Sequence, residues 1–306
     1  MPMLALLAPG QGSQTPGMLT TWLENPELKD LLKEWSQAID LDLIHLGTSA
    51  SAEEIQDTAN AQPLIVAASL LSAHALLKGN MTCKVIAGHS VGEISAAAIA
   101  GVISSIDAMK LVRTRGIEMA KAASLAPAGM SAVLGGIRVE VLEAIALLGL
   151  VAANDNGAGQ IVAAGSLEAL EKLANHTPAG ARVRPLAVAG AFHTSYMSPA
   201  VQPMQLLAQG IEVSNPLCDV ISNKDGEIVS DGREILDRIV NQIANPVRWD
   251  LCMSAMKSHG ITGAIELAPG GTLVGLLKRA EPEIQTCALK SSEDLSTAAQ
   301  LITNHG

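Results

Sequence analysis

The residues best placed to do chemistry are a serine set between two glycines and a histidine far along the chain. Gly88-His89-Ser90-Val91-Gly92 has the form G-x-S-x-G. Glycine at both flanks removes the Cβ atoms that would clash in a sharp strand-to-helix turn, and the serine hydroxyl is left exposed at the helix N-terminus. A carbonyl attacked by that hydroxyl would carry an oxyanion facing the main-chain N–H of Val91, with the positive end of the helix dipole behind it. The rival reading, a glycine-rich turn, is disfavoured by the placement of the motif between a strand and a helix. A serine nucleophile needs a base, most often histidine. Of the seven histidines, only His193 lies in a small-residue loop of suitable shape, Gly190-Ala191-Phe192-His193-Thr194. By those surroundings alone a structural role for His193 is equally open. His74 falls in an apolar helical stretch and is expected in the core, His89 is too near Ser90 to turn back on it, and His45, His176, His259 and His305 read as loop or helix-end residues. A third group usually holds the imidazole. Asp107 and Asp155 are poor candidates for it, which leaves a backbone carbonyl and argues against an ordinary lipase or esterase.

Strand, turn and helix must present these groups. Met3 to Ala8 reads as a buried strand breaking into the loop Pro9-Gly10-Gln11-Gly12-Ser13-Gln14. Ala52 to Asp57 is expected to open an acid-led helical region that Leu64 to Leu77 continues. Lys84 to Ala87 is a strand feeding the serine turn, and Glu93 to Ala100 the helix behind it. From Met130 to Val188 six short elements follow in the order βαββαβ: strands Met130 to Leu134, Val151 to Ala153, Gln160 to Ala164 and Val183 to Val188, with helices Val139 to Leu148 and Leu167 to Ala174. That order is the ferredoxin-like unit. Linker-like Ala126-Pro127-Ala128-Gly129 enters it and Ala189-Gly190-Ala191 leaves it. The expected fold is therefore α/β: a hydrolase-like core with a mostly parallel sheet, residues 1–128 and 190–306, carrying an inserted ferredoxin-like unit, residues 129–189.

Composition agrees. Hydrophobic residues make up 48% of the 306 positions and aromatics only 2%, which suits aliphatic helices packed on buried parallel strands. A formal charge of -10 with no Lys/Arg run disfavours nucleic-acid binding. The four cysteines, Cys83, Cys218, Cys252 and Cys287, lie far apart and are expected as buried, reduced thiols, with neither a disulfide framework nor a zinc site. Met1 to Pro9 lacks the basic start and cleavage site of a signal peptide, and the longest apolar run, Pro63 to Leu77, is interrupted by Ser and His. A soluble cytoplasmic protein without nucleic-acid or membrane partners is expected. Pro9 to Gln14 lacks the Lys-Ser/Thr of a phosphate loop, and Thr15 stands where a dinucleotide fingerprint needs its third glycine.

Several segments together resemble one family. Gly10-Gln11-Gly12-Ser13-Gln14, Gly88-His89-Ser90-Val91-Gly92-Glu93, Arg115-Gly116, Ala191-Phe192-His193-Thr194, Asn245-Pro246-Val247 and Glu266-Leu267-Ala268-Pro269-Gly270 are similar to malonyl-CoA:acyl carrier protein transacylases of fatty-acid and polyketide synthesis. Thr58, Gln62-Pro63 and the segment from Gly129 to Gly135 fit as well, so the resemblance runs from residue 4 to about residue 280. It implies Ser90 as the acylated nucleophile, His193 as its base, the backbone amides of Gln11 and Val91 as oxyanion hole, and the Gln242 carbonyl as the group that orients His193. It also implies that Arg115 grips the free malonyl carboxylate through a planar, two-pronged ion pair. Arg113, which has no family match, is expected in solvent or near the coenzyme phosphates. Val91 and Phe192 resemble malonyl-selective members, Phe192 excluding a branched acyl group or simply filling the cleft. Asn154 and Asn156 resemble residues lining the cleft, or shape the turn at Gly157. The implied reaction is ping-pong transfer of malonyl from malonyl-CoA to the phosphopantetheine thiol of holo acyl carrier protein, with no metal or redox cofactor, by a monomer. Lys278 and Arg279 are the candidate docking patch for an acidic carrier. A thioesterase would use the same Ser90 and His193 without needing Arg115, whereas a non-catalytic acyl sensor would be expected to lose one of the pair.

Overall fold

Apolar runs too short for a helix become strands covered on both faces, because only there is every side chain hidden. The computed structural model describes residues 3–80 and 83–305; the start of the expected Met1 to Pro9 segment and the expected limits at Met1 and Gly306 lie outside the described residues. Among these, the strands in chain order are β1 (Leu4–Ala8), β2 (Val85–Gly88), β3 (Ala128–Gly135), β4 (Val151–Asp155), β5 (Gln160–Ser166), β6 (Ala181–Pro185), β7 (Asp219–Ile221), β8 (Ile228–Val229), β9 (Val247–Arg248), β10 (Gly263–Glu266) and β11 (Gln285–Ala288). They form two sheets.

The six-stranded sheet runs β11-β10-β1-β2-β7-β8 and is parallel except where β8 turns back on β7. Its central strands β1 and β2 are buried at every residue. The helix Thr58–Leu77 lies against this core, packed on the helix Ser105–Ala123, and every residue from Ala61 to Ala73 is buried. It is long and apolar enough to cross a membrane, yet 72% of its most apolar window is enclosed by the rest of the fold. Ala52 to Asp57 are not helical as expected: the Asp57 carboxylate accepts from the Ala59 N–H, and this cap sets the helix start at Thr58. His74 is likewise not in the core. Burial stops at Ala73, and the exposed His74 ring meets Glu27 of the helix Pro26–Ile39 at 2.9 Å.

The five-stranded sheet runs β6-β3-β5-β4-β9. Its first four strands are mutually antiparallel and, with the helices Arg138–Leu147 and Leu167–Asn175, follow the split βαβ order of a ferredoxin-like unit. Val133, Val141, Ile145, Ile161, Leu170 and Leu173 belong to a hydrophobic cluster of its own. The fifth strand comes from elsewhere in the chain: β9 pairs in parallel with β4, Asn154 opposite Val247. The cysteines are closer than their sequence spacing suggests. Because β2 and β7 are neighbours, Cys83 Sγ lies 3.7 Å from Cys218 Sγ, and Cys218 and Cys287 are only half-buried.

Candidate active site

In open parallel α/β sheets, ligands meet the carboxyl ends of the strands. There β1 ends in the loop from Pro9, β2 runs into Ser90, and β7 is followed by Ser222 and Asn223. The turn at Ser90 is tight enough to demand its glycines. A Cβ at Gly88 would stand 2.0 Å from the Gly92 carbonyl carbon, and one at Gly92 would stand 2.2 Å from Ala8 O. Ser90 itself takes φ 55°, a left-handed conformation rare outside glycine, and the helix Gly92–Ile99 begins directly after Val91.

The Ser90 hydroxyl lies 2.8 Å from His193 Nε2. The His193 ring faces the main-chain carbonyl of Gln242 through Nδ1 at 3.1 Å. With its proton on Nδ1, the ring donates to the carbonyl and keeps Nε2 free to accept from Ser90, which is the tautomer a base requires. No carboxylate among the described residues contacts the ring; Asp107 bonds Ser104, and Asp155 pairs with Arg138. Burial, with the Arg115 guanidinium nearby, pushes His193 down to about 3, so it is neutral at physiological pH.

Arg115, on the helix Ser105–Ala123, is 1% exposed. It donates from Nη2 to Ser90 Oγ at 3.3 Å and from Nη1 to Gln62 Oε1 at 2.7 Å. Gln62 in turn donates to Gln11 Oε1 at 3.4 Å, tying the guanidinium to the first loop. Burial lowers Arg115 to about 10, which leaves it charged at neutral pH. Among the described residues, no protein group accepts from the main-chain N–H of Gln11 or of Val91. Gln11, Ser90, Arg115, Asn154, Phe192 and His193 all line one cavity of about 290 Å³, with Met130 and Val162 of the small sheet on one side and Leu273 and Leu276 on the other.

Asn156 Oδ1 accepts from His89 Nε2 at 2.9 Å, and the His89 ring packs edge-on against Trp249 at 5.5 Å, so His89 takes no part as a base. Arg113 is not free in solvent but donates to Ala59 O at 2.9 Å. Sequence reasoning missed two buried groups. Glu93 is known there only as part of the motif, and Asn223 sits in Ser222-Asn223-Lys224-Asp225-Gly226, which reads as a plain turn. Gln62 enters only through the Gln62-Pro63 match, with nothing to pair it with Arg115.

Residues 6–301 match the acyl transferase domain family. The malonyl CoA-acyl carrier protein transacylase of Mycobacterium tuberculosis is 53% identical over 302 residues, 98% of this chain and 100% of that protein. The crystal structure of that organism's enzyme superposes with a TM-score of 0.93 at 52% identity, covering 97% of this chain and 99% of that one. A malonyl-transacylase solved in complex with its type II PKS acyl-carrier protein superposes with a TM-score of 0.92 at 33% identity, covering 97% and 99%.

Proposed function

We propose that this chain, which belongs to the acyl transferase family and within it to the malonyl-CoA:acyl carrier protein transacylases, forms a malonyl-serine at Ser90 on the way from coenzyme A to its carrier. It is an acyltransferase, and it moves malonyl from malonyl-CoA to the phosphopantetheine thiol of an acyl carrier protein. One arrangement carries the mechanism: the same Ser90 Oγ meets a neutral, buried base at 2.8 Å and a buried guanidinium at 3.3 Å.

His193 Nε2 takes the Ser90 proton as Oγ attacks the thioester carbonyl. The oxyanion forms against the unoccupied N–H groups of Gln11 and Val91, which need no reorganisation to receive it. As the C–S bond breaks, the coenzyme A sulfur takes the proton from His193 and malonyl stays on Ser90. The carrier's thiol then gives its proton to His193, attacks the ester carbonyl, and Ser90 leaves with that proton restored. Arg115 pairs with the free malonyl carboxylate, a partner that a simple thioesterase substrate lacks. Both thioesters are already activated, so the chemistry calls for no metal or redox cofactor.

The same reading divides the chain into a large unit, residues 1–128 and 190–306, and a small unit, residues 129–189, supported by the separate core around Val133 and Leu170. Every group the mechanism uses comes from one chain, which suits a monomer, and water-soluble substrates suit a cytoplasmic site. Lys278 and Arg279 are exposed on the helix Thr272–Ala280, whose first turns line the cavity, and they offer local positive charge to an acidic carrier. The test is the acceptor. Transfer of malonyl to holo carrier protein, faster than its loss to water, supports the reading; hydrolysis unaffected by carrier would favour a thioesterase.

A further inference from the structure

Asn223 is completely buried beside the nucleophile, far from it in sequence, and no step above uses it. Its Oδ1 accepts from the Ser90 N–H at 2.7 Å, and its Nδ2 donates to the Gly88 carbonyl at 2.7 Å, so one planar amide spans the turn on which Ser90 sits. The assignment of O and N is fixed by chemistry, since a peptide N–H can only donate and a carbonyl only accept. Asn223 is itself held from both sides. Its N–H donates to Glu93 Oε1 at 2.8 Å, and its carbonyl accepts from the Arg248 N–H at 2.8 Å. Among the described residues the second Glu93 oxygen is buried with no partner, which leaves the Asn223 N–H as the hydrogen bond this carboxyl makes.

We propose that Asn223 is a positioning residue for acyl transfer, its carboxamide locking Ser90 in the left-handed conformation that aims Oγ at His193 and leaves the Val91 N–H turned to the oxyanion. This rests on reading Ser90 as the acylated nucleophile. With Oδ1 gone, the Ser90 N–H loses its hydrogen-bond partner, and the φ of 55° is left to the bonds of the turn itself, Gly92 N–H to His89 O and Glu93 N–H to Ser90 O. Leu at this position would fill the space but hold neither group. Asp would accept from Ser90 but, as a carboxylate, set an oxygen against the Gly88 carbonyl. Only as a protonated acid would Asp reproduce both bonds.

That difference supplies the test. Ser90 reactivity is read in the full chain as the rate of labelling by an alkyl fluorophosphonate, which reports the nucleophile whatever its natural acyl donor, alongside malonylation by malonyl-CoA. Asn223→Ala is expected to slow both by roughly 10²-fold, as misplacing a reacting atom does, with KM for malonyl-CoA little changed because Arg115 is untouched. Asn223→Asp is expected to regain activity, relative to the unaltered protein, as pH falls and the buried carboxyl takes up its proton. The groups facing that carboxyl are Glu93 from the helix Gly92–Ile99 and Cys252 from the helix Trp249–Ser258, with Asp225, Arg115 and Arg238 acting on Glu93. Should Asn223→Ala fail to fold, Asn223→Asp alone decides. Labelling of folded Asn223→Ala within about threefold of the unaltered protein, or an Asn223→Asp pH profile parallel to it, overturns the proposal. Loss of malonylation with fluorophosphonate labelling intact in the unaltered protein would instead count against malonyl as the donor group.

Discussion

Ser90 Oγ and His193 Nε2 stand 2.8 Å apart across 103 residues of chain, and both residues hold positive φ, 55° and 62°. Non-glycine residues avoid that region at a cost of about 1–3 kcal/mol. Two such residues facing each other are therefore held there by the surrounding structure, Ser90 by its turn and His193 by the Gln242 carbonyl.

The pH dependence follows from the burial of His193. His193 falls from 6.5 to about 3, through burial first and then Arg115, with His89 acting in the same direction. A base depressed in this way stays neutral as pH drops, so kcat/KM for malonyl-CoA should show no acid limb in the ordinary histidine range. A pH–rate profile from about 5 to 9 checks this, and a limb near 6.5 would contradict it. Stability carries the same sign: the unfolded chain takes up this proton at 6.5 while the fold refuses it until about 3, so stability is lost as pH falls between them. Glu93 works the other way. Burial raises it from 4.5 to about 8, and its contribution is lost as pH rises across that window.

Arg115→Lys should cut kcat/KM for malonyl-CoA by roughly 10- to 100-fold, the loss of about 1.5–3 kcal/mol expected for charged hydrogen bonds. Acetyl-CoA, which has no carboxylate to pair, should lose far less. Competition between the two donors, read as the ratio of Ser90 adducts, measures the change directly. An unaltered ratio would remove Arg115 from substrate recognition.

Phe192 is 6% exposed and lines the cavity beside His193. Phe192→Ala should relax discrimination against methylmalonyl-CoA, an extra methyl being worth about 1–3 kcal/mol in a close-fitting pocket. Single-turnover acylation with both donors tests it. If the preference stands unchanged, Phe192 only fills the cleft.

Reversing charge at Lys278 and Arg279 together should raise KM for holo carrier protein severalfold, about 1 kcal/mol or less per exposed pair, and leave acylation by malonyl-CoA alone. An unchanged carrier KM would place docking elsewhere.

Much of this was legible in the sequence, and the reasons differ by element. The strand before Ser90 and the glycines around it are local features, each forced by contacts within a few residues, and the βαββαβ order needs only periodicity. Asn223 was invisible because its partners, Gly88 and Ser90, lie 135 and 133 residues away, and nothing in Ser222-Asn223-Lys224 departs from an ordinary turn. β9 escaped for a similar reason: a two-residue strand carries no alternation, and only its pairing to β4 defines it. His74 misled because an apolar helix predicts a buried residue, whereas its last turn passes the edge of the core and finds Glu27 instead.

The central claim is most directly tested by intact-protein mass after brief mixing with malonyl-CoA, followed by addition of holo acyl carrier protein. The expected result is a malonyl adduct that is absent in Ser90→Ala and moves to the carrier. An adduct that water discharges at the same rate with or without carrier, or no adduct at all, would contradict transfer through Ser90.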